Sequence, residues 1–232
     1  MANRLATLTM HEARMQKRYG IYYAYGFVLI FYLAILAWAG PWLPEWAVAV
    51  VIFTDPSALG FFFLGGLMML ERGENTRTAL AVTPVTAGAY LFAKTMTLTL
   101  LAMAAVTVIW LFLHRQANWP LLMAAVALTS VQYVGIGVPI ALRFRTVTGY
   151  LIGSAGFLTP VIAPGFLALL DPTPWWLLFI PAVSQLKLML VAVGDPEVGV
   201  AAIAGMLGVA AVAAVGSVGL ALVALRRELG AT

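Results

Sequence analysis

Residues 198–225 read VGVAAIAGMLGVAAVAAVGSVGLALVAL, and Arg226-Arg227-Glu228 follow. The run holds no charge and no proline. Crossing a ~30 Å hydrocarbon core takes about 20 residues of helix, so this run is long enough to span a bilayer. Ala, Gly and Leu dominate it and nothing alternates with period two, which favours a helix over an outer-membrane strand. The arginines at its end mark where the chain leaves lipid. Within it, Ala201, Gly205, Ala213 and Ser217 make a stripe of small residues, predicted to pack closely inside the subunit.

Similar stretches recur upstream, near residues 21–38, 46–70, 91–113, 121–142 and 148–170. The whole chain of 232 residues is 63% hydrophobic and only 9% charged, with a mean hydropathy of +0.99. Soluble domains carry roughly a quarter charged residues. The expected fold is therefore an all-α polytopic membrane protein, a single transmembrane domain over 1–232 with six spans. The net charge of +4 belongs to topology signals and not to nucleic-acid binding. Cysteine is absent, which excludes disulfides, thiolate metal sites and a cysteine nucleophile. No cleavable signal peptide is expected, because the first apolar run starts only near Ile21 and is long enough to span.

Residues 1–20 mix Arg4, Glu12, Arg14, Lys17 and Arg18 with Leu5, Leu8, Ala13 and Met15, as an amphipathic helix on the cytoplasmic membrane surface would. The second apolar run is interrupted at Thr54-Asp55-Pro56-Ser57, where Asp55 suits a helix cap better than an intramembrane functional acid. Pro160 and Pro164 predict a break in the fifth span. Residues 171–197 contain two apolar pieces too short to cross, which suggests re-entrant or interfacial helices on the outer side. Gln132 and Tyr133 in the fourth span are expected to hydrogen-bond between helices. Of the 13 lysines and arginines, only Arg115 and Lys187 then fall outside. That bias puts both termini in the cytoplasm.

No catalytic constellation emerges. His11 and His114 lie on opposite sides, and no Gly-rich phosphate loop ends in Lys-Ser or Lys-Thr. Glu71 and Glu74 are expected on a solvated helix face, with Lys94 near the interface. The informative segment is the cytoplasmic loop 71–90, with a short helix expected over Thr76 to Val82 and a turn at Thr83-Pro84. A short helix of this kind is suited to docking in a groove of a soluble partner.

Glu71, Arg72, Leu80, Thr83, Pro84, Tyr90, Leu91 and Lys94 form a pattern that resembles the loop between the second and third spans of type-2 ATP-binding-cassette permeases. Asp55-Pro56, Leu59-Gly60 and the leader ending Gln16-Lys17-Arg18-Tyr19-Gly20 are similar to fluoroquinolone-export permeases. The pattern departs at Ala79, Ala81 and Ala89. The resemblance covers nearly the whole chain and implies a half-transporter in a bacterial or archaeal cell membrane. Two permease subunits, more often identical than not, would form the pathway. Each would dock a separate ATPase subunit that binds ATP and Mg, with no cofactor in this chain.

In that family the 71–90 loop is a coupling helix. Glu71, Arg72, Leu80, Thr83 and Pro84 are then the coupling residues, Leu80 filling an apolar pocket on the ATPase and Pro84 fixing the turn. Family geometry makes Phe61, Phe62, Phe63 and Met68 on the second span, with Phe157, Thr159 and Phe166 on the fifth, candidates for lining the route of a hydrophobic or amphipathic substrate. Their alternative is ordinary packing or lipid contact. A haem-exporter-like permease of cytochrome c maturation has similar size, which the Asp55-Pro56 block and the leader disfavour. An integral-membrane enzyme acting on lipids would need a polar cluster at one membrane face, and none is evident. A non-transporting membrane scaffold is the remaining class.

Overall fold

The computed structural model describes residues 2–39, 42–55, 60–74, 86–113, 117–194 and 198–230. The described residues are helical or in short connections, with no strand among them. The helices are α1 (Ala2–Arg18), α2 (Ile21–Ala39), α3 (Glu45–Thr54), α4 (Gly60–Gly73) and α5 (Ala87–Leu113), then α6 (Trp119–Ala141), α7 (Val147–Ile162), α8 (Pro181–Val193) and α9 (Val200–Gly230). Two 3-10 helices, Ala163–Leu169 and Trp175–Phe179, lie between α7 and α8. Such helices satisfy their own backbone groups, as lipid demands.

Among the described residues five segments are long and apolar enough to cross a membrane: Ile21–Ala39, Ala87–Leu113, Trp119–Ala141, Val147–Leu169 and Val200–Glu228. Of the expected second span the described parts are α3 and α4, neither long enough to cross alone, and residues 56–59 between them lie outside the described residues. The fifth span breaks as its prolines predict. Pro160 stays within α7, and Pro164 sits in the first turn of the 3-10 helix that continues it. Local caps set two helix starts. Asn118 accepts from the Leu121 N–H at 3.3 Å, and Thr146 accepts from the Gly149 N–H at 3.1 Å. Gly20, at φ 75°, makes the turn from α1 into α2.

α6 is the central post and packs most extensively on α9. One end of α6 joins a core of Ile52, Phe53, Trp110, Leu186 and Met189; its other end joins Phe61, Leu64, Met68, Tyr150 and Leu225. α8 is no surface element: Ala182 to Leu186, Leu188 and Met189 are buried, and Gln185 donates to Gln132 Oε1 on α6 at 2.6 Å. The interhelical bond expected of Gln132 is thus made to α8.

The small-residue stripe needs correction. Ala201 and Gly205 are exposed, and the packed face of α9 runs through Met206, Ala210, Ala214, Ser217, Ala221 and Leu225. Ser217 alone of the expected four is buried, so close to Gly135 that a β-carbon there would sit 2.5 Å from its hydroxyl.

Candidate functional site

The end of α4, the start of α5 and the middle of α1 converge on one buried lysine. Lys94 has 0% exposure; its ammonium donates to Glu12 Oε1 at 2.5 Å and to Glu71 Oε1. Tyr90, one turn earlier on α5, donates its hydroxyl to Glu71 Oε2 at 2.5 Å, and the lysine nitrogen lies 4.7 Å from the tyrosine ring centre. Gln16, one turn beyond Glu12, donates to Thr97 Oγ1 at 2.6 Å. Helical spacing explains the convergence, since Glu12 and Gln16 share one face of α1 while Tyr90, Lys94 and Thr97 share one face of α5. Buried charges demand complete pairing, so this cluster holds three elements in one register more than it adds net stability.

The rim repeats the pattern in weaker form. Tyr19 donates to Glu74 Oε2 at 2.8 Å, and Arg18 lies 3.9 Å from Glu74. Burial, then the bond to the Glu74 carboxylate, pushes the Tyr19 phenol up to about 12, so it stays a neutral donor. Arg72 donates to the Phe144 carbonyl at 3.3 Å and lies 3.8 Å from Glu228. The last turn of α4 is therefore tied to α1, α5, the turn before α7 and the end of α9.

Two expectations change here. Glu71, expected on a solvated face, is 2% exposed and bound to Lys94 and Tyr90. Lys94, expected at the interface, is enclosed. The amphipathic reading of α1 holds for its helix, yet the side that meets the protein is the polar pair Glu12 and Gln16. Sequence reasoning missed this, although the i, i+4 spacing of Glu12 and Gln16 beside apolar residues was a readable signal.

Leu80, Thr83 and Pro84, and the helix expected over residues 76–82, lie outside the described residues. Of the coupling set, Glu71 and Arg72 are placed side by side at the end of α4. The seven pathway candidates divide between core and surface. Phe61 and Met68 are fully buried in the core, Phe61 against Tyr150 with ring centres 5.7 Å apart. Phe62 and Phe63 are half-buried; Phe157, Thr159 and Phe166 are exposed.

Asp55 follows the last residue of α3, and its N–H donates to the Val51 carbonyl, closing that helix. Its carboxylate accepts from the Tyr25 hydroxyl of α2, so its side chain does tertiary work across two spans. Whether it also caps a following turn falls on residues 56–59, outside those described. A separate cleft of about 530 Å³ opens between α3, α8 and the 3-10 helix Ala163–Leu169, with Glu45, Trp46, Asp171 and Lys187 in its wall. Among the described residues no cluster of His, Asp and Glu is arranged to hold a metal.

Comparison with known proteins agrees with this plan. The model of the fluoroquinolones export permease protein family matches residues 3–229. The fluoroquinolones export permease proteins of two Mycobacterium tuberculosis strains are each 28% identical over 162 residues, covering 69% of this chain and 68% of theirs. No solved structure matches.

Proposed function

Because the chain belongs to the fluoroquinolones export permease protein family, we propose that it is the membrane subunit of an ATP-driven exporter of hydrophobic or amphipathic, drug-like molecules. The subunit pairs with a second permease, most simply another copy, and each docks a separate ATPase through the 71–90 loop. ATP and Mg bind on that partner. Both termini face the cytoplasm of a bacterial or archaeal cell.

The observation that carries the coupling role is the ion cluster at Lys94. The loop begins at the last turn of α4, and that turn is clamped to α1 and α5 through Glu71, Glu12, Lys94 and Tyr90. A displacement of the loop by the ATPase is thus delivered to three elements at once. ATP binding then favours one arrangement of the membrane helices, and hydrolysis releases it. Leu80, Thr83 and Pro84 enter as docking residues through the family resemblance alone. On the pathway side, Phe62, Phe63, Phe157, Thr159 and Phe166 remain the accessible candidates, whereas Phe61 and Met68 are buried in the core.

Gentle purification from membranes tests the reading. A stoichiometric ATPase with vanadate-sensitive ATP hydrolysis is expected to accompany the chain. Leu80→Asp should abolish that association without changing membrane insertion. Unchanged association would remove the loop from the coupling role, and a chain that purifies alone and inert to ATP would remove the exporter reading.

A further inference from the structure

Asp55 is the buried acid that the coupling cluster does not use. It is 1% exposed, follows the last residue of α3, and receives the Tyr25 hydroxyl from α2. Among the described residues no lysine, arginine or histidine forms an ion pair with it; the buried ion pairs gather around Lys94 instead. The contrast is informative. Glu71 and Glu12 have their cation built into the protein, whereas among the described residues Asp55 is met by a neutral phenol. A carboxylate held between apolar helices with no cationic partner is costly, and such residues inside membrane segments commonly mark a ligand or ion path.

The surroundings are aromatic. Tyr25 stands against Phe63 of α4, ring centres 5.7 Å apart and planes at 51°. Tyr32, seven residues along α2, lies on the same face of that helix as Tyr25. An acid with aromatic side chains beside it is an arrangement suited to organic cations, whose charge the carboxylate and the ring faces can share. The door is also identifiable. α2 is the least embedded of the long helices, with Tyr23, Phe27, Ile30 and Phe31 exposed on its outer side. A small outward movement of α2 withdraws Tyr25 and uncovers Asp55 toward the lipid, from which an amphiphile arrives.

We propose that Asp55, Tyr25 and Phe63 form an intramembrane recognition site for the positively charged nitrogen or onium centre of an aromatic amphiphile, closed in this conformation by the Tyr25 hydroxyl. The proposal deepens the exporter reading and rests on it for its purpose, but binding to the chain alone requires no ATPase.

Tetraphenylphosphonium is a suitable probe because its charge does not titrate, and tetraphenylborate has the same shape with the opposite sign. Equilibrium binding is measured on the purified full-length chain in detergent. The wild type should bind the cation and not the anion. Asp55→Asn, which keeps an acceptor for Tyr25 but removes the charge, should weaken cation binding by about tenfold or more at an unchanged melting temperature. No cation preference in the wild type, or equal binding by a folded Asp55→Asn, overturns the proposal and leaves Asp55 as a structural tie to α2. If Asp55→Asn does not fold, Tyr25→Phe decides: it removes the latch and keeps the charge, so binding should persist or tighten, and its loss overturns the site. ATPase co-purification reports separately on the exporter reading, so failure of one is not mistaken for failure of the other.

Discussion

Removing the Lys94 ammonium while leaving Glu12 and Glu71 in place strands two carboxylates out of reach of water. Lys94→Met should therefore cost on the order of 3–5 kcal/mol, seen as a lower melting temperature in detergent. Glu12→Gln should cost less, because Glu71 remains to pair the lysine. Combining Lys94→Met with Glu71→Gln should recover part of the loss, since the two changes act on one interaction. An unaltered melting temperature for Lys94→Met would mean that the cluster does not clamp α4. The sequence displayed each of these residues but not their meeting. Glu12 and Lys94 are 82 residues apart, and only the packing of α1 on α5 makes them neighbours. A glutamate followed by an arginine at a membrane exit reads as solvated unless a partner is known. Asp55 shows a related limit: Asp before Pro is a strong local cap signal, and nothing local announces the Tyr25 bond made across the fold.

At the scale of elements, existence was legible and facing was not. Long apolar runs bounded by charge or proline locate α2, α5, α6, α9 and the segment Val147–Leu169 to within about five residues. Pro164 announces the change from α-helix to 3-10 helix. The packed side of α9 gives no such signal, because a helix that is apolar all round has no contrast between its faces. The stripe expected at Ala201, Gly205, Ala213 and Ser217 therefore meets the contact only at Ser217, and the contact otherwise runs through Ala210 and Ala214. Ala214→Leu should overpack the contact with α6 and cost about 1–3 kcal/mol. Gly205→Leu, on the exposed side, should leave thermal stability nearly unchanged. Equal effects in a melting assay would contradict the assigned face. Gly65 makes a parallel case on α4: a β-carbon there would come within 2.0 Å of the Tyr150 ring, whose hydroxyl donates to the Phe61 carbonyl at 2.8 Å. Gly65→Ala should loosen α4 from α7, read as a lower melting temperature.

On the scale of the whole molecule, charge and aromatic residues divide the ends in the same sense. The base where α1, α4 and α9 finish gathers Arg18, Arg72 and Glu228 with the Lys94 cluster. Exposed tryptophans, Trp38, Trp42, Trp46, Trp175 and Trp176, sit where α2 ends, where α3 starts and in the turn before α8. Tryptophan favours the headgroup region and basic residues favour the cytoplasm, so the Lys94 end should face inward. The chain has no cysteine of its own, so single introduced thiols report without background. Arg145 and Asp171 are both exposed and flank the segment Val147–Leu169. A membrane-impermeant maleimide should label Asp171→Cys in intact cells and Arg145→Cys only after permeabilisation. The reverse pattern would invert the orientation and move the 71–90 loop away from any cytoplasmic ATPase. Labelling of both from one side would mean that Val147–Leu169 does not cross, and the break at Pro164 would then mark a re-entrant hairpin in place of a span.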